Sequence, residues 1–324
     1  MKPTSDVRVG QTRFAPLAYL SCIRFPEVLV LQGSPLLGAA FGLRDPSVDK
    51  LGVGVVFAIA SFLLVAHIWS FNDWAGLQAD SNDPNKSGAV FSTKGVSPGG
   101  ALVLSLGLLV AALALFSVLP HQTLLIAVII AALGMLYSHP ALHAKSIPIL
   151  SSLPHLVGGV LHFLLGYSVF ETIDRRAVLM ALYFALTFTA GHLNQEVRDF
   201  DGDRANGLRT NAVFFGRVPA FWAGLVLFTF AYADLVLLAA CGIVPMALGV
   251  LPLVLYPLHL SWSLRTLRAG LSFENVSQLQ RRYRMLYALI GGSMLAALIA
   301  RLTDGSRGRR VRRGALRARR RDAT

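Results

Sequence analysis

Carboxylates and amides gather at two places in the chain, with spacings that let them act together. In "SFNDWAGLQADSNDPNK", 70–86, Asn72 and Asp80 are eight residues apart and Asp73 and Asp80 seven. A helix through this stretch carries them on nearly one face, with Gly76 between them. In "NQEVRDFDGDRANGLRT", 194–210, Glu196, Asp199 and Asp203 recur at spacings of three, four and seven, which makes a second stripe. Asp83 and Asp201 fall off both stripes and read as solvated turn residues. Two rows of oxygen ligands repel one another unless a cation lies between them. Hard divalent ions relieve that repulsion, and Mg²⁺ is held by a few carboxylates together with substrate phosphates, so the pattern points to Mg²⁺ and a phosphorylated substrate. Lys86, Lys94, Lys145, Arg204 and Arg209 are at hand for the phosphate end. A diphosphate held in this way is also a good leaving group, because metal and base stabilise the charge on the departing oxygen.

These residues sit at the ends of long apolar runs. Of 324 residues, 54% are hydrophobic and only 15% charged, and the mean hydropathy is +0.58. Such a balance belongs to a polytopic membrane protein rather than a soluble domain. Uncharged runs of about 20 residues give an all-α bundle of about nine spans, near 16–43, 51–72, 99–119, 122–138, 148–170, 176–195, 217–240, 243–263 and 284–302. The expected division is an N-terminal arm at 1–15, a transmembrane domain at 16–302 and a basic disordered tail at 303–324. Lys and Arg concentrate in the N-terminal arm and in the loops after spans two, four, six and eight, which places those loops on the cytoplasmic side. Both acidic segments and "YSHPALHAK", 137–145, then open on one face and can build one site. A bacterial plasma membrane is the expected location, with membrane lipids as partners.

Net charge is +13, much of it in the terminal run "DGSRGRRVRRGALRARRRDAT". With no folded recognition module beside it, that run is expected to lie against anionic lipid rather than nucleic acid. Cys22 and Cys241 fall inside expected spans as isolated thiols. His67, His155 and His162 read as hydrogen-bonded helix contacts, whereas His192 lies one turn before Glu196 on its stripe and could orient that carboxylate or receive a proton. The polar stretch 264–283 is expected either as an amphipathic interfacial helix or lid, or as a surface connector between spans.

With these motifs in order, the sequence resembles the UbiA superfamily of intramembrane prenyltransferases. "DFDGDRANGLRT" matches that family's second Asp-rich motif, with Asp199 and Asp203 as the paired aspartates and Glu196 where a further Asp is common. "YSHPALHAK" matches its Tyr-Ser-x-Pro…Lys signature, Tyr137 to Lys145. "SCIRFPEVLVLQGSPLLGAAFG", with Arg24, is similar to its opening helix, and "FSTKGVS" places Lys94 where an arginine is common. The first motif departs from the family pattern: its ends are Asn72 and Asp80, but its middle aspartate is Gly76, for which Asp73 could compensate. The resemblance implies that aspartates of both motifs bind Mg²⁺ and an isoprenoid diphosphate, and that Lys145 helps to hold the phosphate. It further implies ionisation to an allylic cation that an acceptor captures, and Tyr137 could stabilise such a cation. Terpene cyclisation, a weakened homologue that binds without turnover, and a cation-coupled transporter are the alternative readings.

Overall fold

The computed structural model describes residues 15–142 and 144–321, with side chains described for 17–142 and 144–301. The described chain is helical and has no strand. The described residues begin with three short helices, α1 (Ala15–Cys22), α2 (Phe25–Leu31) and α3 (Gly33–Gly42). Long α4 (Val48–Ala75) is followed by the single-turn extension α5 (Leu77–Asn82), then α6 (Pro98–Phe116), α7 (His121–Ser138) and α8 (Leu153–Tyr167). The second half holds α9 (Arg175–Ala205), short α10 (Asn211–Phe215), α11 (Arg217–Ala240), α12 (Met246–Ala269) and α13 (Phe273–Arg321).

Local chemistry sets several of these boundaries. Ser47 Oγ accepts from the Lys50 N–H at the start of α4, Ser97 caps α6 ahead of Pro98, and Asp174 accepts from the Ala177 N–H at 2.8 Å to open α9. Among the described residues, eight helical segments are long and apolar enough to cross a bilayer: Val48–Ala75, Pro98–Phe116, His121–Ser138, Leu150–Tyr167, Arg175–Ala205, Arg217–Ala240, Met246–Ala269 and Phe273–Arg301. They answer to the second through ninth expected spans. The first, 16–43, is not a single helix. Pro26 at the start of α2 and the Gln32–Pro35 stretch at the start of α3 interrupt the backbone ladder and divide the run into three pieces. The expected interfacial helix at 264–283 is also absent as a unit: its first half completes α12, the chain turns at Gly270–Ser272, and its second half begins α13. The backbone of α13 continues helically to Arg321, through the segment expected to be a disordered tail.

The bundle is packed by α4 against α6, α9 against α8 and α11, and α3 against α8. Its main core joins Phe57, Leu64, Phe116, Phe163, Met180, Leu235 and Ile290, all fully buried or nearly so. A second core of Val197, Phe221, Phe228, Val276 and Leu279 braces the acidic end of α9. Val103, Val110, Leu125, Phe230, Leu253 and Val254 face outward, the arrangement of a bundle bathed in hydrocarbon. Several buried polar groups are paired across helices, as in Gln32 with Ser61, His67 with Ser105, and Thr123 with Ser168. The closest approach is between α3 and α8: a Cβ on Gly38 would overlap the Phe163 carbonyl oxygen, and one on Gly166 the Pro35 carbonyl oxygen. Only glycine permits that contact, and it holds the broken opening segment against the bundle.

Candidate active site

The first acidic stripe survives a change of helix. Ladder bonds continue through the junction, Gly76 N–H to Asn72 O at 2.8 Å and Asp80 N–H to Gly76 O at 2.9 Å, so Asn72, Gly76 and Asp80 remain on one side. All three line one large cavity of about 890 Å³. Asp73 faces elsewhere. Arg24, from the break between α1 and α2, reaches its carboxylate with Nε 2.9 Å from Oδ2 and Nη2 2.6 Å from Oδ1, while the guanidinium lies over the Trp69 ring.

Across the cavity mouth, α9 presents Glu196, Asp199 and Asp203. Asp199 is held by two cations. Arg198 grips it with Nε at 2.6 Å and Nη2 at 2.9 Å, and Lys86 Nζ approaches its other side at 2.9 Å. That same ammonium stands 3.7 Å from Asp80 and 3.8 Å from Asp83, so one lysine joins the two stripes. Burial pulls the Lys86 pKa down, but Asp199, Asp80 and Asp203 outweigh burial and hold it above the ordinary value. Lys145 shows the opposite balance: burial lowers it, and attraction to Asp80 and Asp203 does not make up the loss. Asp83, only 3% exposed, packs against Gly202 and accepts from the Asn85 N–H. Asn206 donates to the Ala79 carbonyl at 3.1 Å, a further bond between α5 and the end of α9.

Glu196 occupies a separate corner. Its Oε1 accepts from Ser151 Oγ at 3.1 Å and Asn211 Nδ2 at 3.2 Å, and its Oε2 from the Ala212 N–H at 3.3 Å. His192 Nε2 lies 3.0 Å from Oε1, off the hydrogen-bond direction. The same Asn211 accepts from the N–H of Ile149, a non-glycine residue at φ 66°, and so holds the strained turn that leads into α8. His155, in the first turn of α8, stacks on His192 with ring centroids 3.6 Å apart and planes 11° apart. Tyr137 stands edge-on to both rings at 5.0 and 6.3 Å.

Of the residues anticipated from sequence, Asn72, Asp80, Tyr137, Lys145, Glu196, Asp199 and Asp203 therefore border one cavity, with Arg24 at its edge. Four others are placed elsewhere. Asp73 is paired with Arg24, Lys94 donates to the Ser21 carbonyl at 2.6 Å, Arg209 lies over the Phe214 ring, and Arg204 is not part of the cavity wall. Asp201 pairs with Arg217 on the outer face. Arg198 was missed because helical periodicity turns position 198 about 100° from the stripe, yet a long guanidinium side chain folds back to Asp199. The His155–His192 stack was missed because the two residues lie 37 apart on different helices.

Comparisons with known proteins agree with this architecture. The lycopene elongase/hydratase of Haloferax volcanii is 25% identical over 210 residues, 64% of this chain and 68% of that protein. The enzyme of the same name from Haloarcula japonica is 29% identical over 223 residues, 64% of this chain and 70% of that protein. Among solved structures, a UbiA homologue from Archaeoglobus fulgidus bound to DMAPP and Mg²⁺ shares the fold with a TM-score of 0.67 at 18% identity, over 88% of this chain and 99% of that one. The apo UbiA homologue from Aeropyrum pernix shares it with a TM-score of 0.65 at 20% identity, over 85% and 98% of the two chains. The profile of the UbiA prenyltransferase family matches residues 34–275, most of the sequence, and the chain belongs to that family.

Proposed function

We propose that this prenyltransferase moves a prenyl group from its diphosphate to a carbon–carbon double bond of a polyene hydrocarbon, with Mg²⁺ as cofactor. The observation that carries this reading is the meeting of Asp80 and Asp199 around Lys86 in a cavity whose apolar walls include Leu29, Leu36, Leu133, Phe184, Phe188 and Leu295. The acceptor class is supported by the two relatives named lycopene elongase/hydratase, since lycopene is an apolar polyene.

The donor set fits the metal. Among the described residues, no three carboxylate, histidine or cysteine side chains converge closely enough to cage an ion by themselves. Mg²⁺ needs no such cage, because it keeps several ligands for water and substrate phosphate. Asp80, Asp199 and Asp203 offer hard oxygens, and the Lys86 ammonium stands between Asp80 and Asp199, where positive charge is already favoured. When bound there, Mg²⁺ would neutralise diphosphate oxygens and stabilise the leaving group. Lys86, Lys145 and Arg198 hold the remaining phosphate charge, and Tyr137 presents its ring to the carbon that loses the diphosphate. The apolar walls exclude water from that carbon. On the distribution of Lys and Arg, the mouth opens to the cytoplasm from a bacterial plasma membrane.

Gly76 favours a second reading, a protein that binds prenyl diphosphate with little turnover. Both are tested by supplying labelled dimethylallyl or geranyl diphosphate, Mg²⁺ and lycopene to the purified protein in lipid, and following diphosphate release and the prenylated polyene. Transfer is expected, and Asp199→Asn or removal of Mg²⁺ by EDTA should lower it by about 10²-fold or more. Binding without release in the wild type would favour the second reading.

A further inference from the structure

Transfer to a carbon acceptor leaves a proton to be disposed of. As the prenyl C1–O bond breaks, its electron pair leaves with the diphosphate. The acceptor's double bond then forms the new C1–C bond and leaves positive charge on the adjacent acceptor carbon. A neutral product results when that cation loses a neighbouring hydrogen, or when water captures it and sheds one. Either route releases one proton per transfer, inside a cavity walled by hydrocarbon side chains.

We propose that His155 accepts this proton, with His192 and Glu196 as the groups that position and charge-balance it. The inference rests on the reading of a carbon acceptor given above. Nδ1 of His155 lies 3.0 Å from the Ser151 carbonyl oxygen, which can only accept, so Nδ1 carries the hydrogen and Nε2 the lone pair. Among the described residues nothing hydrogen-bonds that Nε2, and the ring borders the cavity. His192, stacked on it at 3.6 Å, fixes the ring plane. Glu196 supplies the counter-charge 3.0 Å from His192, and its bonds to Ser151, Asn211 and Ala212 keep it there. This accounts for a buried carboxylate on the acidic stripe whose oxygens are turned to protein donors.

The location suits the task. His192 is seven residues before Asp199 on α9, about 10 Å along the helix axis toward the hydrocarbon end. The pair thus sits beneath the diphosphate, on the side where the acceptor's cation forms, with Tyr137 edge-on to both rings.

The test uses full-length protein in lipid with geranyl diphosphate, Mg²⁺ and the carbon acceptor that the wild type prenylates. His155→Gln keeps a donor for the Ser151 carbonyl but has no basic nitrogen. It should bind geranyl diphosphate as the wild type does while coupled product falls by about 10²-fold, and prenyl alcohol should become the main product. His155→Ala, which leaves a space of imidazole size, should regain turnover with added imidazoles in order of their basicity, a response that a purely structural role would not give. His192→Phe keeps the stack and should lower kcat more than it raises KM. Undiminished coupled product in His155→Gln overturns the inference alone, and so does failure of every imidazole to restore His155→Ala. A wild type that releases diphosphate but forms no carbon–carbon bond overturns both the acceptor reading and the inference.

Discussion

Gly76 poses the sharpest question at the scale of single residues. A Cβ there would lie 3.0 Å from the Asn72 carbonyl oxygen and 3.6 Å from both Asp80 Oδ2 and Lys145 Nζ, and the backbone φ of −91° accepts any L residue. Gly76→Asp therefore directs a carboxylate between Asp80 and Lys145, at the cost of the Asn72 carbonyl giving way by a few tenths of an ångström. We expect the Mg²⁺ concentration for half-maximal diphosphate release to fall roughly tenfold, equivalent to ~1.4 kcal/mol; an Mg²⁺ titration measures it. Lys145 gives a pH dependence of definite sign. Its pKa lies below the ordinary 10.5 because of burial, whereas that of Lys86 is held above it. The ammonium form binds phosphate, so as pH rises Lys145 is the first of the two to lose its charge, and prenyl diphosphate affinity falls with it. Lys145→Arg should move that alkaline fall to higher pH, as read by equilibrium binding at several pH values. Much of this residue chemistry was legible in the spacing of Asp80, Asp199 and Asp203. The fate of Asp73 was not, since its partner Arg24 lies 49 residues away across a helix break that periodicity does not report.

For whole elements, hydropathy located α4, α6, α7 and α11 closely, because a membrane span advertises itself by length and lack of charge. The opening segment shows where that signal stops: 16–43 is apolar throughout, yet Pro26 and Pro35 interrupt its ladder and no hydropathy window registers hydrogen bonding. The 264–283 stretch fails in the opposite sense. It is polar because it joins the ends of two spans, so composition suggested a separate helix where the chain only turns. The broken segment depends on the glycine contact between α3 and α8 for its position. Gly166→Ala places a methyl group against the Pro35 carbonyl, and the backbones must separate. We expect a loss of about 1–3 kcal/mol, seen as a lower unfolding temperature in detergent. Activity should fall as well, because Leu36 and Leu37 of α3 wall the cavity.

For the molecule as a whole, the alternation of span direction carried most of the functional information. Three polar segments separated by long apolar runs were expected on one face, and Asn72–Lys86, Tyr137–Lys145 and Glu196–Asp203 do border one cavity. The shape of that cavity was not legible, because its walls are contributed by six or more helices whose rotations depend on packing. It runs from the acidic mouth to Gly291, Gly292 and Leu295 of α13, where Gly291 approaches Leu37 of the opening segment. On the proposed function, charge and hydrocarbon bind at opposite ends, and the two ends can be impaired separately. Gly292 has open space where a side chain would project, so Gly292→Phe fills the apolar end without touching Asp80, Asp199 or Lys86. Binding of a short donor such as dimethylallyl diphosphate should be unchanged in this variant. Its KM for a long polyene acceptor should rise by roughly ten- to a hundredfold, the loss of about 1.5–3 kcal/mol of apolar burial. Equal loss of donor binding and acceptor binding would mean that the two substrates do not divide the cavity in this way.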